Sequence, residues 1–319
     1  MKNIYFIILP ETHPLDSLGP AQLFFEAKDN GADINLHFLS STTDSELISS
    51  LGLGFSKLIS YQNLELTKVD LIIIPGIEFS LLIDLEFKSK NLDFYGWLNT
   101  QYSNGATLVS ICTGAFILGD AGLLKGKNAT THWKAFNEFE QKYPDTKLLK
   151  NRLFVENERI YTSAGMLSGI DLCLYLVEKE YGIKFAIEVA KEVVMYFRRS
   201  ESDPQLSIFL QYRNHLDDRI HKAQDFINSN LATPFIIEDL ADKVHMSARN
   251  LTRQFKKTTG ITIGNYLTKL RVEQSIHLLA GGYTLEYATK QCGLKSSNQL
   301  RSLLKKHEGL IPIDLNNLN

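Results

Sequence analysis

Cys112 carries the most reactive side chain in this sequence, and its neighbours decide what it can do. It follows the apolar run Thr107–Ile111 and precedes a helix-like stretch, 115–124, so it stands at a strand-to-helix junction. There the positive end of a helix dipole can lower a thiol pKa and favour the nucleophilic thiolate. A sharp turn of this kind, with Gly114 two residues on, holds a side chain proud of a sheet. A nucleophile also needs a base within hydrogen-bond reach. Thr113 cannot serve as one, and the candidates elsewhere are His132, Glu11 and Asp16. The plainer alternative is an inert buried thiol.

A second chemistry is written twice near the end of the chain. Leu251, Phe255, Lys256, Lys257 and Gly260 recur 49 positions later as Leu300, Leu304, Lys305, Lys306 and Gly309. Each copy follows a short helical segment holding an Ala (Ala241, Ala288) and a serine cap, Ser247 in the first and Ser296 or Ser297 in the second. Two short helices joined by a tight turn are the layout of a helix-turn-helix, whose second helix enters a DNA groove. Leu251 and Phe255, four apart, should face a core, leaving Arg249, Asn250, Arg253 and Lys256 outside. Arg249 and Asn250 lie near the helix N-terminus and can pair bidentately with guanine and adenine edges. Arg253, Lys256 and Lys257 suit phosphates. The second copy, from about Ser297, offers Asn298, Gln299, Arg301 and Lys305. A solvated basic helix face is the bland competitor, and the repeat argues against it.

These residues need elements to place them. A chain of 319 residues, 44% apolar, supports two packed domains. Its net charge of −2 hides a split: residues 1–215 carry 20 Lys and Arg against 26 Asp and Glu, whereas 216–319 carry 14 against 10. The basic surplus is small, but much of it falls in the repeated helices, where phosphate contacts are wanted. Three scattered cysteines argue against a disulfide framework and for a reducing cytoplasm. The eight histidines show no metal-ligand spacing, so no metal or cofactor is expected. The first apolar run is too short for a signal peptide, and none approaches the ~20 residues of a membrane helix.

Residues 4–9, Ile34–Ser40, 69–74 and Thr107–Ile111 read as strands, with a helix beginning at Pro20. Residues 152–154 and 159–162 read as a hairpin, and 169–181 and 184–198 as amphipathic helices. Apolar strands alternating with helices predict an α/β sandwich, flavodoxin-like, with a mainly parallel sheet and helices on both faces. Ligands bind beyond the carboxyl ends of such strands, where Gly76-Ile77 and Cys112-Thr113-Gly114 fall. The polar, Pro-broken stretch 198–205 reads as a linker. About seven helices follow, in an all-α domain with two helix-turn-helix units. One of them, 262–279, joins the units and ends at Gly281-Gly282.

Three segments then carry a resemblance: residues 110–124 around Cys112, 129–133 ending in His132-Trp133, and 162–171 including Thr162 and Gly165. Together they resemble the ThiJ/PfpI domain, which is amidotransferase-like, and specifically the branch fused to an AraC-type helix-turn-helix domain, the GlxA-like transcription regulators. The resemblance spans nearly the whole chain, with 1–200 as sensor domain, 201–216 as linker and 217–319 as DNA-binding domain. It implies that Asp16, rather than Glu11, faces the cysteine, and that the Gly76-Ile77 turn supplies amides for an oxyanion. The AraC-type match includes Leu267, Arg271 and Cys292-Gly293-Leu294. Three features depart from the pattern. Peptidase-like members follow the nucleophile with His, where this chain has Thr113. Leu300 and Leu304 replace aromatic residues, and Ile311-Pro312 lacks the usual following Tyr-Arg. The resemblance therefore implies a retired enzyme pocket used for sensing, in a family whose relatives respond to small nitrogen-containing metabolites.

The expected pocket is Asp16, Gly76, Ile77, Cys112, Thr113, His132, Trp133, Thr162 and Gly165, with Cys112 a vestigial nucleophile. The expected protein is a cytoplasmic regulator of double-stranded promoter DNA under a small-molecule effector. The sequence leaves open whether the sensor domain forms a homodimer. The rival is a cysteine-dependent hydrolase or amidase with an accessory helical domain.

Overall fold

The computed structural model describes residues 2–62, 64, 66–150, 152–195, 208–213, 215–280 and 282–308. The linker stretch 198–205, Gly281, Gly309 and Ile311-Pro312 lie outside the described residues. The chain divides into two compact units, Met1–Gln205 and Leu206–Asn319.

The first unit is built on a seven-stranded sheet. Its strands are β1 (Lys2–Ile8), β2 (Ile34–Ser40), β3 (Ile59–Ser60), β4 (Leu71–Ile74), β5 (Thr107–Ile111), β6 (Phe154–Asn157) and β7 (Ile160–Ser163), in the order β6-β7-β5-β4-β1-β2-β3. All neighbours are parallel except the edge hairpin β6-β7. The central strands are apolar throughout because both faces are covered. One face packs Ile7, Leu9, Ile72, Ile74 and Leu108 against α2 (Leu92–Ser103) and α3 (Gly114–Asp120). The other packs Ile4, Phe6, Ile73, Val109 and Ile111 against α1 (Pro14–Asp29), α4 (Met166–Tyr181) and α5 (Ile183–Glu192).

Several boundaries differ from the sequence reading. The first helix begins at Pro14, and Pro20 lies inside it. Pro14 fits a first helical turn, where its missing N–H leaves no bond unmade, and the helix tolerates the bond lost at Pro20. The hairpin falls two residues later than expected because its turn is at Glu158-Arg159, with Glu158 at φ 54°. The helix after Cys112 stops at Asp120, where three turn residues precede Leu124.

The second unit is helical among its described residues: α6 (Ile208–Gln211), α7 (Asp218–Ser229), α8 (Ile237–Lys243), α9 (Ala248–Thr259), α10 (Ile263–Ala280), α11 (Leu285–Gln291) and α12 (Ser297–Glu308). Two small cores share α10. Its first half gives Ile263, Tyr266 and Leu270 to a core with Leu240, Leu251 and Phe255. Its second half gives Val272, Ile276 and Leu279 to a core with Ala288, Cys292, Leu300 and Leu304. Leu300 and Leu304 are fully buried, so leucine fills the positions where aromatic side chains were expected.

Candidate ligand pocket and DNA-reading helices

Cys112 sits where β5 ends and α3 is about to begin, at φ 58°, a left-handed conformation that non-glycine residues seldom adopt. Its amide donates to Ser163 O, which ties the turn to β7. The structure corrects the expected pKa. Burial and the nearby Asp16 charge push the Cys112 thiol up rather than down, outweighing the hydrogen bonds from Thr113 that act the other way. Burial disfavours a thiolate.

Asp16 is the acid that faces the cysteine. It is fully buried in the first turn of α1, and its Oδ1 accepts from the Met166 amide at 2.8 Å. Glu11 only shapes the backbone nearby, with its carbonyl accepting from the Glu78 amide. His13, which the sequence reading missed, comes with Asp16: His13 Nδ1 lies 3.6 Å from Asp16 Oδ2, and Nε2 lies 3.9 Å from Glu78 Oε2. The contact with Asp16 raises the His13 pKa against the opposing effect of burial. Its signal was legible in principle: His13 is three residues before Asp16, directly ahead of Pro14, and so precedes the same helical turn.

Two glycines make room. A Cβ on Gly76 would lie 2.6 Å from Asp16 Oδ2 and 2.8 Å from Thr113 Oγ1, and one on Gly165 would lie 2.9 Å from the Cys112 sulfur. Thr113 does not project into open space. Its hydroxyl donates to Ile77 O and accepts from the Ile77 amide, both at 3.1 Å. The Ile77 amide is thereby occupied, which corrects its expected role as an oxyanion donor.

The segment bearing His132 is tied to the same place. The Thr130 amide donates to Thr162 Oγ1 at 2.9 Å, and Thr131 Oγ1 donates to Cys112 O at 3.0 Å. Thr162 is thus a buried support for the loop. Burial, with the Lys134 charge, lowers the His132 pKa, although Asp16 opposes it. Trp133 is 42% exposed and carries the Lys134 ammonium 5.5 Å from its ring centroid. Asp16, Gly76, Cys112, Thr113 and Gly165 therefore meet directly, with Ile77 and Thr162 behind them and the His132 loop hydrogen-bonded to them.

In the second unit, the same local grammar builds both reading helices. Ser247 Oγ caps α9 by accepting from the Asn250 amide at 3.3 Å, and Ser296 Oγ accepts from the Gln299 amide at 3.2 Å. The second cap is thus Ser296. Ser297, expected at the interface, is half-buried and takes a 3.5 Å contact from Thr289. Arg249, Arg253, Lys256, Lys257, Asn298, Gln299, Arg301 and Lys305 are exposed, and Asn250 is partly so. Arg253 donates to Asn250 Oδ1 and Arg301 to Asn298 Oδ1, each at 3.0 Å. Gln299 Oε1 is engaged by the Lys295 amide, which leaves only its NH2 group for an outside partner.

Comparison with known proteins extends both halves. Residues 2–179 match the DJ-1/PfpI family, and residues 240–317 match a helix-turn-helix domain. The HTH-type transcriptional regulator CdhR of Pseudomonas aeruginosa is 25% identical over 280 residues, 87% of this chain and 80% of that protein. The isonitrile hydratase of Pseudomonas putida is 29% identical over 185 residues, 58% of this chain and 74% of the enzyme. The crystal structure of an AraC family transcriptional regulator from Pseudomonas putida superposes with a TM-score of 0.52 at 22% identity. It covers 60% of this chain and all of that one, and shows likeness of fold.

Proposed function

The chain belongs to the DJ-1/PfpI family and carries a helix-turn-helix domain behind that domain, and from this premise we propose a regulator whose α/β domain binds a small effector and alters promoter binding. The observation that carries the reading is the duplicated Ser-capped helix with an exposed basic face, bearing Arg249 and Asn250 at the N-terminus of the first copy and Asn298 and Arg301 in the second. Arg and Asn are the side chains that discriminate guanine and adenine in the major groove. The likeness to CdhR, a transcriptional regulator by name, supports it over most of the chain. In this reading residues 1–200 sense and 217–319 bind DNA, and within the expected linker 201–216 the helix Ile208–Gln211 belongs to the second unit, with Ile208 and Tyr212 packed on its core. Arg249 and Asn250 read bases, and Arg253, Lys256, Lys257, Arg301 and Lys305 hold phosphates. The effector occupies the pocket of Asp16, Gly76, Cys112, Thr113, His132, Trp133 and Gly165, and nitrogen-containing metabolites are the first class to try. Among the described residues, no helix is long and apolar enough to cross a membrane.

The test is fluorescence anisotropy on DNA from upstream of the gene, across a salt series, with the wild type and Arg249→Ala. Nanomolar binding that weakens steeply with salt, and loses site preference in the variant, supports the regulator. Binding that ignores salt and sequence refutes it.

One observation favours a second reading, a hydratase or hydrolase: the buried Cys112–Asp16 pair, in a chain with an isonitrile hydratase among its relatives. Against it stand the raised thiol pKa and Thr113, whose hydroxyl is held by Ile77. Turnover of an isonitrile, amide or ester that Cys112→Ala abolishes would restore the enzyme. Normal regulation by Cys112→Ala would remove thiol chemistry from signalling.

A further inference from the structure

We propose that His13, Asp16 and Cys112 form a three-ligand site for a thiophilic divalent cation of the Zn²⁺ class. One donor atom from each residue lies within 4.8 Å of the other two. Tetrahedral Zn²⁺ with bonds of about 2.0–2.3 Å sets its ligand atoms roughly 3.3–3.8 Å apart. The 3.6 Å between His13 Nδ1 and Asp16 Oδ2 is close to the roughly 3.3–3.5 Å expected of a nitrogen–oxygen pair, and it is too long for a hydrogen bond.

Those two atoms supply an independent reason. Both are buried, and neither has a hydrogen-bond partner among the described residues. A buried carboxylate oxygen and imidazole nitrogen that face each other at 3.6 Å without a hydrogen bond call for an explanation. A cation between them satisfies both at once. The surrounding contacts are those that orient metal ligands. Met166 N–H fixes the other Asp16 oxygen at 2.8 Å, and the Glu78 carboxylate, 3.9 Å from the remaining His13 nitrogen, adds favourable charge without a hydrogen bond. The glycine backbones at positions 76 and 165 pack closely against Asp16 Oδ2 and the Cys112 sulfur and carry no side chain that would compete for them.

Sulfur, nitrogen and carboxylate together suit a borderline-soft ion, whereas Mg²⁺ and Ca²⁺ prefer oxygen donors. On binding, the thiol gives its proton to buffer and its sulfur lone pair to the metal, with no change of oxidation state. Three protein ligands leave a fourth position for water or a donor atom of the effector. In that respect the site deepens the sensing role, but binding of the ion does not depend on the DNA reading.

The experiment titrates Co²⁺ alone into the full chain and follows the thiolate-to-cobalt charge-transfer band and the visible bands of a tetrahedral site. One equivalent should bind with both signals. Cys112→Ser should lose the charge-transfer band, and His13→Gln should weaken binding at least tenfold, with circular dichroism of both variants unchanged. The two other cysteines are fully buried, Cys173 deeper in the core that also holds Cys112 and Cys292 in a core of the second unit, so a band that survives Cys112→Ser overturns the proposal. So does stoichiometric binding untouched by His13→Gln, or no band at all. If either variant misfolds, Asp16→Asn replaces it: unweakened Co²⁺ binding there also overturns the site. The promoter anisotropy assay on the same variants keeps the two readings apart, since it reads DNA binding without added metal.

Discussion

Gly165 lies against Cys112 so closely that a methyl group there would stand 2.9 Å from the sulfur and 3.0 Å from Cβ. Its φ of 128° is moreover one that side chains rarely adopt. The two constraints act together, because Gly165 immediately precedes α4 and its carbonyl receives the Ser168 amide. Gly165→Ala should therefore destabilise the first unit by about 1–3 kcal/mol. Urea unfolding of the full chain followed by a first-unit tryptophan, Trp97 or Trp133, checks this. A loss under ~0.5 kcal/mol would mean that the turn relaxes at little cost.

Cys292 gives a pH prediction in the second unit. Burial pushes its thiol up to about 11, with the Arg271 charge opposing. An unfolded cysteine ionises near 8.5. Below that pH both states hold the proton and stability is unaffected. Above it only the unfolded chain loses the proton, so stability falls as pH rises toward the folded value. At pH 10 the loss is on the order of 1–2 kcal/mol relative to pH 8. Cys292→Ala should start lower, because it opens a cavity, but lack this extra decline. Parallel curves for the two proteins between pH 8 and 10 would refute the assignment.

On DNA, the charge and the base readers separate. Lys256→Ala should weaken binding evenly across sequences and reduce the slope of log affinity against log salt by about 1. Arg249→Ala should cost about 1–3 kcal/mol on the preferred site and much less on unrelated DNA. Asn250→Ala has a further effect, since it frees Arg253 from its hydrogen bond. If Lys256→Ala changed specificity but not the salt slope, the division of roles would be wrong.

Much of this could be read from residue order. The strands Ile34–Ser40 and Thr107–Ile111 match the sequence reading at both ends, because turn residues follow each and period or apolarity marks the interior. Leu251 and Phe255 are fully buried as their spacing required. What failed did so for three-dimensional reasons. A helix dipole argument at Cys112 could not weigh the desolvation imposed by packing, nor the charge of Asp16 from another element. The amide of Ile77 looked available because the Thr113 hydroxyl that takes it lies 36 residues away. His13 was passed over because histidine spacing along the chain says nothing about the pocket it joins.

The longest reach of the second unit's geometry is through Arg271. It stands in the middle of α10, between the two cores, and its Nε and Nη2 donate to Leu231 O at 3.1 and 2.9 Å. Gly293, in the turn before the second reading helix, lies at the same point: a Cβ there would meet Leu231 O at 2.6 Å and Arg271 Nη2 at 2.9 Å. One guanidinium thus ties α10 to the loop after α7, and the turn before the second reading helix packs closely against both. Burial lowers the Arg271 pKa, yet a guanidinium stays charged, so breaking its bonds leaves a part-buried carbonyl without its donors. Arg271→Lys keeps the charge but cannot make the forked contact. It should leave each unit folded while loosening their spacing. Affinity for DNA carrying both half-sites should fall about tenfold or more, whereas affinity for one half-site should hold, since linked binding depends on geometry. Equal losses on both DNAs would mean that Arg271 supports the fold of a unit, not the distance between units.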